Sequence, residues 1–378
     1  MNNDNVDNRK IKTEICCIFN LAALYRAPIY KLMDTELSCD FYITEWEKPP
    51  FKQMNYSDLK GFKKTLKYKK IYKNFYWQKA AIFLVFKPYT KVILIGEPYC
   101  ISTWVILIFA KILGKKTYIW THGWYGRESK IKKIIKKSFF RMSTKVLLYG
   151  NYAKNLIINE GVQEDKLVCV FNSLDHLAQL KVRKQLFHTS IFKDYFKNND
   201  PTLIFVGRLQ KSKKIEQIIE TIYLLKTRGV KCNLVIVGKD DENLNLNSLI
   251  SSYGIDKQIW LYGECYDELK IGELFFNSHV CVSPGNVGLT AMHSFVFGTP
   301  VITHNNFKNQ MPEFEVIEDN VTGSFFNENS VENLTEKIKY WISKDTHERK
   351  ATRTKCQLII DEIYNPYYQI EILKKTLK

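Results

Sequence analysis

Short apolar runs alternate with stretches of helical periodicity along the whole chain, and this alternation restricts the fold more than any other feature. In the first half the β-rich runs cover residues 14–20, 39–43, 91–96, 116–121, 146–150 and 167–171. Helical patterns lie between them, around 28–35 and over 102–113. Strands separated by helices in this way belong to a parallel α/β sheet with helices on its faces. A less regular, charged segment follows over 177–200, and the pattern restarts at 203–207 (LIFVG) with a helix over 215–227. Further strands are expected at 233–238, 258–262, 280–283 and 300–304. A chain of 378 residues exceeds the usual size of one hydrophobic core, so two domains are expected. We place them at residues 1–180 and 201–360, each a Rossmann-like unit. The run 365–378 reads as an amphipathic helix that packs back on the first. No G-x-G-x-x-G follows the first strand, so a dinucleotide site there lacks its phosphate-binding turn.

Hydrophobic residues make up 45% and charged residues 25%, a balance ordinary for a globular protein and unlike a disordered one. The net charge of +17 is not ordinary. It favours anionic partners: nucleic acid, phosphorylated ligands or an anionic membrane. No nucleic-acid recognition motif accompanies it, so that class is set aside. The nine cysteines are scattered, without a C-x-x-C pair, and read as buried thiols in a reducing cytoplasm. Residues 1–12 carry no apolar segment of the kind a signal peptide needs. The most apolar stretch, 101–113, is too short to span a bilayer and is expected as a buried helix.

Two motifs carry chemistry. The first is Gly207-Arg208-Leu209 with Lys213 beyond it. Both cations fall on a loop between a buried strand and the next helix, where open α/β sheets bind ligands. Placed there, Arg208 and Lys213 would neutralise a diphosphate. Alternatively the loop is simply basic and solvated, since Lys211 and Lys214 are cationic too. The second motif runs from Ser283 to His293 (SPGNVGLTAMH). A strand ends at Ser283, Asn286 and Val287 lie in a turn, and a helix begins near Thr290. The backbone N–H groups of Gly288, Leu289 and Thr290 would face an anion, and a glycine at 288 permits close approach. An ordinary strand–turn–helix connection is the plainer alternative.

Together these motifs resemble the retaining glycosyltransferases of the GT-B fold, glycosyltransferase family 4 in particular. GRLQKSKK is similar to that family's G-R-L-x-x-x-K-G, with Lys214 in the last position. GLTAMHSFVFGTPV is similar to G-L-x-x-x-E-A-x-x-x-G-x-P-V, and residues 315–323 to E-x-I-x-D-x-x-x-G. Order and spacing hold from about 203 to 326. In the first half Thr121-His122-Gly123 resembles the histidine–glycine turn that faces the donor sugar. Residues 168–175 resemble a segment ending in N-G-x-D, with Ser173 in place of the glycine. One departure is plain: the family's helix glutamate is here His293, and its turn glutamate corresponds to Gly285 or its neighbour.

The resemblance implies two Rossmann-like parallel-sheet domains facing across a cleft. It implies an enzyme that moves a hexose from a nucleoside-diphosphate sugar to a glycan or lipid-linked glycan, with retention, in surface polysaccharide synthesis. In that reading Arg208 and Lys213 stabilise the departing diphosphate beside Gly207 and the turn Asn286–Thr290. His293 holds the ribose, and His122 meets the sugar. No Asp-x-Asp occurs in the chain, so neither a metal nor any other cofactor is expected. A sugar-nucleotide 2-epimerase with Glu97 and Glu313 as its carboxylates is the alternative on this fold. A nucleotide-sugar-binding protein without catalysis is another.

Two basic stretches point to a membrane. Residues 127–141 have helical periodicity, with Ile131, Ile134, Ile135, Phe139 and Phe140 on one side and cations elsewhere. Residues 60–79 interleave lysines with Tyr68, Tyr72, Phe75, Tyr76 and Trp77. Lysine beside aromatic residues suits an anionic lipid interface. We expect the apolar face of 127–141 to pack inward and its cations to face the membrane. The protein is then cytoplasmic and peripheral on the inner face.

Overall fold

The computed structural model describes residues 13–46 and 52–378; the polar segment 1–12, read above as lacking a signal sequence, lies outside them. The first sheet is built from β1 (Ile15–Phe19), β2 (Asp40–Thr44) and β3 (Phe62–Leu66). A small hairpin, β4 (Lys69–Tyr72) and β5 (Phe75–Trp77), interrupts before β6 (Lys91–Ile95), β7 (Lys116–Thr121), β8 (Lys145–Leu148) and β9 (Leu167–Cys169). The order is β3-β2-β1-β6-β7-β8-β9, all parallel. Ile18 lies opposite Tyr42 on one side and Leu94 on the other, so β1 is a central strand and fully buried. That explains its apolar sequence ICCIF, since parallel strands are covered on both faces.

The second sheet contains β10 (Thr202–Val206), β11 (Asn233–Val237), β12 (Ile259–Gly263), β13 (Val280–Ser283), β14 (Val301–His304) and β15 (Gly323–Phe326). Its order, β12-β11-β10-β13-β14-β15, again parallel, is the doubly wound arrangement. Both sheets reverse direction beside their first strand, between β1 and β6 and between β10 and β13. Ligands of such sheets sit at that crossover, beyond the carboxyl ends of the strands.

The segment 177–200, expected to be irregular, contains the helices His176–Arg183 and Ile191–Phe196. Both belong to the second domain. Phe192 and Phe196 join its core, and Arg183 pairs with Asp361 at 2.7 Å. The helices are short and their charges serve ion pairs, which masks their periodicity. At the other end, the helix Pro366–Leu377 crosses back to lie along Ala27–Leu37, with Ile370, Leu373 and Leu377 in the first domain's core.

Two expectations about apolar helices need correction. The helix Ile101–Ile112 buries Ile106, Leu107 and Ala110 but leaves Ile108, Phe109 and Ile112 outside, so only one face is covered. The helix Lys130–Met142 buries only Phe139 and Phe140, near its end, where Phe139 meets Trp104 with ring centroids 4.9 Å apart. Ile131 and Ile134 are 70% and 66% exposed, and Ile135 is exposed as well. The isoleucine face therefore looks outward, because only the end of this helix packs on the core, where Phe139 and Phe140 join it.

Candidate active site

At the second domain's crossover, two loops close on each other. Gly207 ends β10 with φ +153, a conformation that favours glycine, while its N–H stays in the sheet, donating to Val237. Arg208 follows, exposed. The chain then turns through Lys211–Lys213, so that the Lys213 ammonium points back to the loop after β13. It donates to the main-chain oxygen of Asn286 at 2.6 Å and to its Oδ1 at 2.8 Å. Burial, helped by the charge of Arg208, pushes Lys213 down to about 8, with Glu313 opposing the shift.

The loops are this close because residue 285 is glycine. A Cβ there would come within 2.2 Å of the Ser212 carbonyl oxygen. The space a side chain at 285 would need is thus filled by backbone from the neighbouring loop. Buried Gln310 holds the far side of the turn. Its Oε1 accepts from Val287 N at 2.9 Å, and its amide donates to Thr303 Oγ1 at 2.8 Å. Val287 therefore shapes the turn with its N–H already occupied. The N–H groups of Gly288, Leu289 and Thr290 find no acceptor among the described residues, and Gly288 has φ +53. Thr290 Oγ1 donates to Val206 O at 3.1 Å, tying the turn to the end of β10.

His293, on the helix Thr290–Val296, sits against the rings of Phe275 and Phe297. Its Nε2 is 2.9 Å from Glu268 Oε1, which also accepts from Gln179 Nε2 at 3.0 Å. Burial alone would raise the Glu268 carboxyl, but the bond and charge of His293 and the bond from Gln179 hold it below the ordinary range. A carboxylate is therefore present beside position 293, supplied by a different helix, Glu268–Asn277.

The first domain presents a cavity of about 200 Å³ at its own crossover, walled by residues that include Arg26, Glu97, Trp120, His122 and Tyr149. Arg26 is buried; it donates to the Tyr149 hydroxyl and lies over the rings of Tyr149 and Trp120. Glu97 accepts from Asn20 and, at 2.8 Å, from the Tyr76 hydroxyl, and burial pushes its carboxyl up. His122 follows β7, with the Tyr149 ring 4.7 Å away. Burial, then the charges of Arg26 and Lys136, push it down to about 4. It is a neutral imidazole at physiological pH, able to donate through one nitrogen and accept through the other.

The domains are fastened at the cleft by contacts the sequence did not announce. Asn172 Nδ2 donates to Glu313 Oε1 at 2.7 Å. The Glu315 carboxylate accepts from Asn151 N and Tyr152 N, capping the helix Asn151–Asn159 from the opposite domain. Glu313 is buried, which raises its carboxyl, while the Asn172 bond and the charges of Arg26 and Lys213 pull the other way. Charges from both domains thus converge on one carboxyl. Of the sequence-derived residues, Gly207, Arg208, Lys213, Asn286, Val287, Gly288, Leu289 and Thr290 assemble at one crossover, and His122 lines the other. His293 lies one turn along the helix, engaged with Glu268. Arg26, Glu268 and Gln310 were missed, and Asn172 was seen only as the first residue of the N-G-x-D-like segment; the fold alone brings the four to the cleft.

Comparison with known proteins agrees with this architecture. Residues 187–356 match the family model for glycosyl transferases group 1. No curated protein gives a sequence match. Among solved structures, Anabaena Alr3699/HepE in complex with UDP is similar with a TM-score of 0.74 and 13% identity, over 96% of this chain and 99% of that one. A glycosyltransferase from Rickettsia africae ESF-5 gives 0.73 and 19%, over 97% and 99%. The lipopolysaccharide outer core galactosyltransferase WaaB, in its apo form, gives 0.69 and 14%, over 96% and 98%. At such identities the structural likenesses establish the fold, two Rossmann-like domains in the GT-B arrangement. Within that fold residues 187–356 form a group 1 glycosyl transferase domain, and on that domain the chain is a glycosyltransferase.

Proposed function

We propose that the enzyme moves a hexose from a nucleoside-diphosphate sugar to a glycan or lipid-linked glycan, with retention and without a metal ion, in surface polysaccharide synthesis. The observation that carries this reading is the convergence of Arg208, Lys213 and the N–H groups of Gly288–Thr290 on one crossover. That set neutralises a leaving diphosphate with cations and oriented dipoles. Support comes from the similar HepE structures, whose ligands are UDP, UDP with glucose, and UDP-glucose. The acceptor hydroxyl oxygen bonds to the anomeric carbon while the bond from that carbon to the diphosphate breaks on the same face. The hydroxyl proton passes to the departing phosphate oxygen. Neutral His122 hydrogen-bonds a sugar hydroxyl from across the cleft, and the His293–Glu268 pair faces the ribose.

The acceptor enters from the first domain, which also rests on an anionic membrane surface. Ile131 and Ile134 stand out from a helix rich in lysine, and the adjoining helix Ile101–Ile112 leaves Ile108 and Ile112 exposed. Among the described residues no helix is long and apolar enough to cross a membrane, so contact would be lateral. The first experiment is a thermal-shift panel of nucleotides and nucleotide sugars, since a ligand bound to the folded state raises the melting temperature. A nucleotide sugar that stabilises the protein should be turned over with a glycan acceptor in EDTA, giving a product of unchanged anomeric configuration by NMR. Loss of turnover in EDTA with recovery in Mg²⁺, or inverted product, would overturn the corresponding part of the proposal.

A further inference from the structure

The opposite edge of the second sheet carries a second concentration of positive charge. Ser278 and His279 lead into the amino end of β13, and Thr299 and Pro300 into that of β14. The long helix Thr346–Glu362 runs past this edge and turns Arg349 and Arg353, one helical turn apart, toward it. The Arg349 guanidinium lies 3.0 Å from His279 Nε2 and donates to Ser278 O. Arg353 donates to Phe276 O at 2.7 Å and lies 3.7 Å over the Phe276 ring. Its Nε is buried without a partner among the described residues. Among the described residues neither arginine has a carboxylate within ion-pair distance, in contrast to neighbouring Arg183, which holds Asp361.

These side chains wall an open basin of about 700 Å³ that also includes Arg183, His188 and Lys350. We infer that this basin is a second anion site, which takes an organic oligophosphate of nucleotide size. Its volume falls in the range of small-molecule sites, about 300–1,000 Å³. Beyond the bonds just named, each of the two guanidinium groups lining this concavity keeps further N–H donors that match phosphate oxygens, with no carboxylate in ion-pair distance among the described residues. The rings of Phe276 and His188, with centroids 5.0 Å apart and planes tilted by 46°, add an aromatic wall for the rest of the ligand. Electrostatics agree with the geometry: burial and the charge of Arg349 push Arg353 down to about 10, a tension that a bound anion relieves. The basin cannot be part of the donor site. It lies at the amino ends of the strands, and Val280–Ser283 alone puts about 13 Å of strand between the two edges.

The test is isothermal titration of the full chain with inorganic tripolyphosphate in an R208A/K213A background, which weakens competing binding in the cleft. One site should remain, and adding R349Q/R353Q should reduce its affinity at least tenfold. K350E, on the exposed rim, should weaken binding severalfold without changing the melting temperature, and it decides the matter if the arginine variant misfolds. Absence of binding in the R208A/K213A background would overturn the inference. So would affinity unchanged by K350E and by a folded R349Q/R353Q.

Discussion

In the second domain the crossover is closed, loop against loop: Lys213 is fastened to Asn286, and Gly285 lets the Ser212 backbone pass where a side chain would otherwise stand. In the first domain the same point of the same strand order opens into a cavity lined by aromatic rings, a neutral imidazole and a buried arginine. Topology therefore determines where each domain meets a ligand, and loop chemistry determines which ligand. Cations and unoccupied N–H groups in the second domain suit a diphosphate. Hydroxyls, rings and His122 in the first suit a sugar.

The sharpest way to break this contrast is K213A. Removing a buried ammonium from the leaving group should lower turnover by about 100-fold or more. The wild type adds a signature. Lys213 titrates near 8 in the free protein, and a bound diphosphate favours its charged form. Donor affinity should thus be full below pH 8 and fall as pH rises through it, by at most about tenfold per unit for one group. K213A should abolish that decline; wild-type turnover and pH dependence in the variant would remove the diphosphate from this loop.

Next in size is G285E, which puts a carboxylate on the turn. Because a Cβ there meets backbone, the variant should lose several degrees of melting temperature and on the order of tenfold in donor affinity. A variant as stable and as tight as wild type would show that the loops can separate. Smaller still is the membrane contrast. I131S/I134S should weaken sedimentation with vesicles containing anionic lipid severalfold, and salt should weaken the wild type. No effect of either would free the first domain's outer face from that role.

The smallest expected effect concerns His122. Its folded value of about 4 lies below the ordinary value near 6.5, so the unfolded chain takes the proton first. Stability from this residue is present above pH 6.5 and lost as pH falls toward 4. H122N should therefore lose less stability than wild type across that window in urea titrations. An equal loss would place His122 in solvent rather than in the cavity.

Much of the proposed donor site was legible because its glycines and two cations lie on the loops that follow two buried strands at one sheet edge. The first domain's cavity was less so. Arg26 precedes a helix and carries no motif, and only the placement of Tyr149 and Trp120 around it makes it part of a site. The isoleucines of 131–135 show why periodicity misleads: it reports that one helix face is apolar, not whether anything covers it.

By itself the sequence determined most strands of the two sheets, the restart that divides them and the position of the proposed donor loops, because these follow from local period and from backbone freedom at glycine. Only the tertiary structure decided that Glu268 stands beside His293, that Glu315 caps a helix of the other domain, and that Arg349 and Arg353 face a basin without counter-charge. Each joins residues far apart in the chain. Such pairings depend on how whole elements pack, where one side chain's neighbour is selected by the shape and charge of every surface around it.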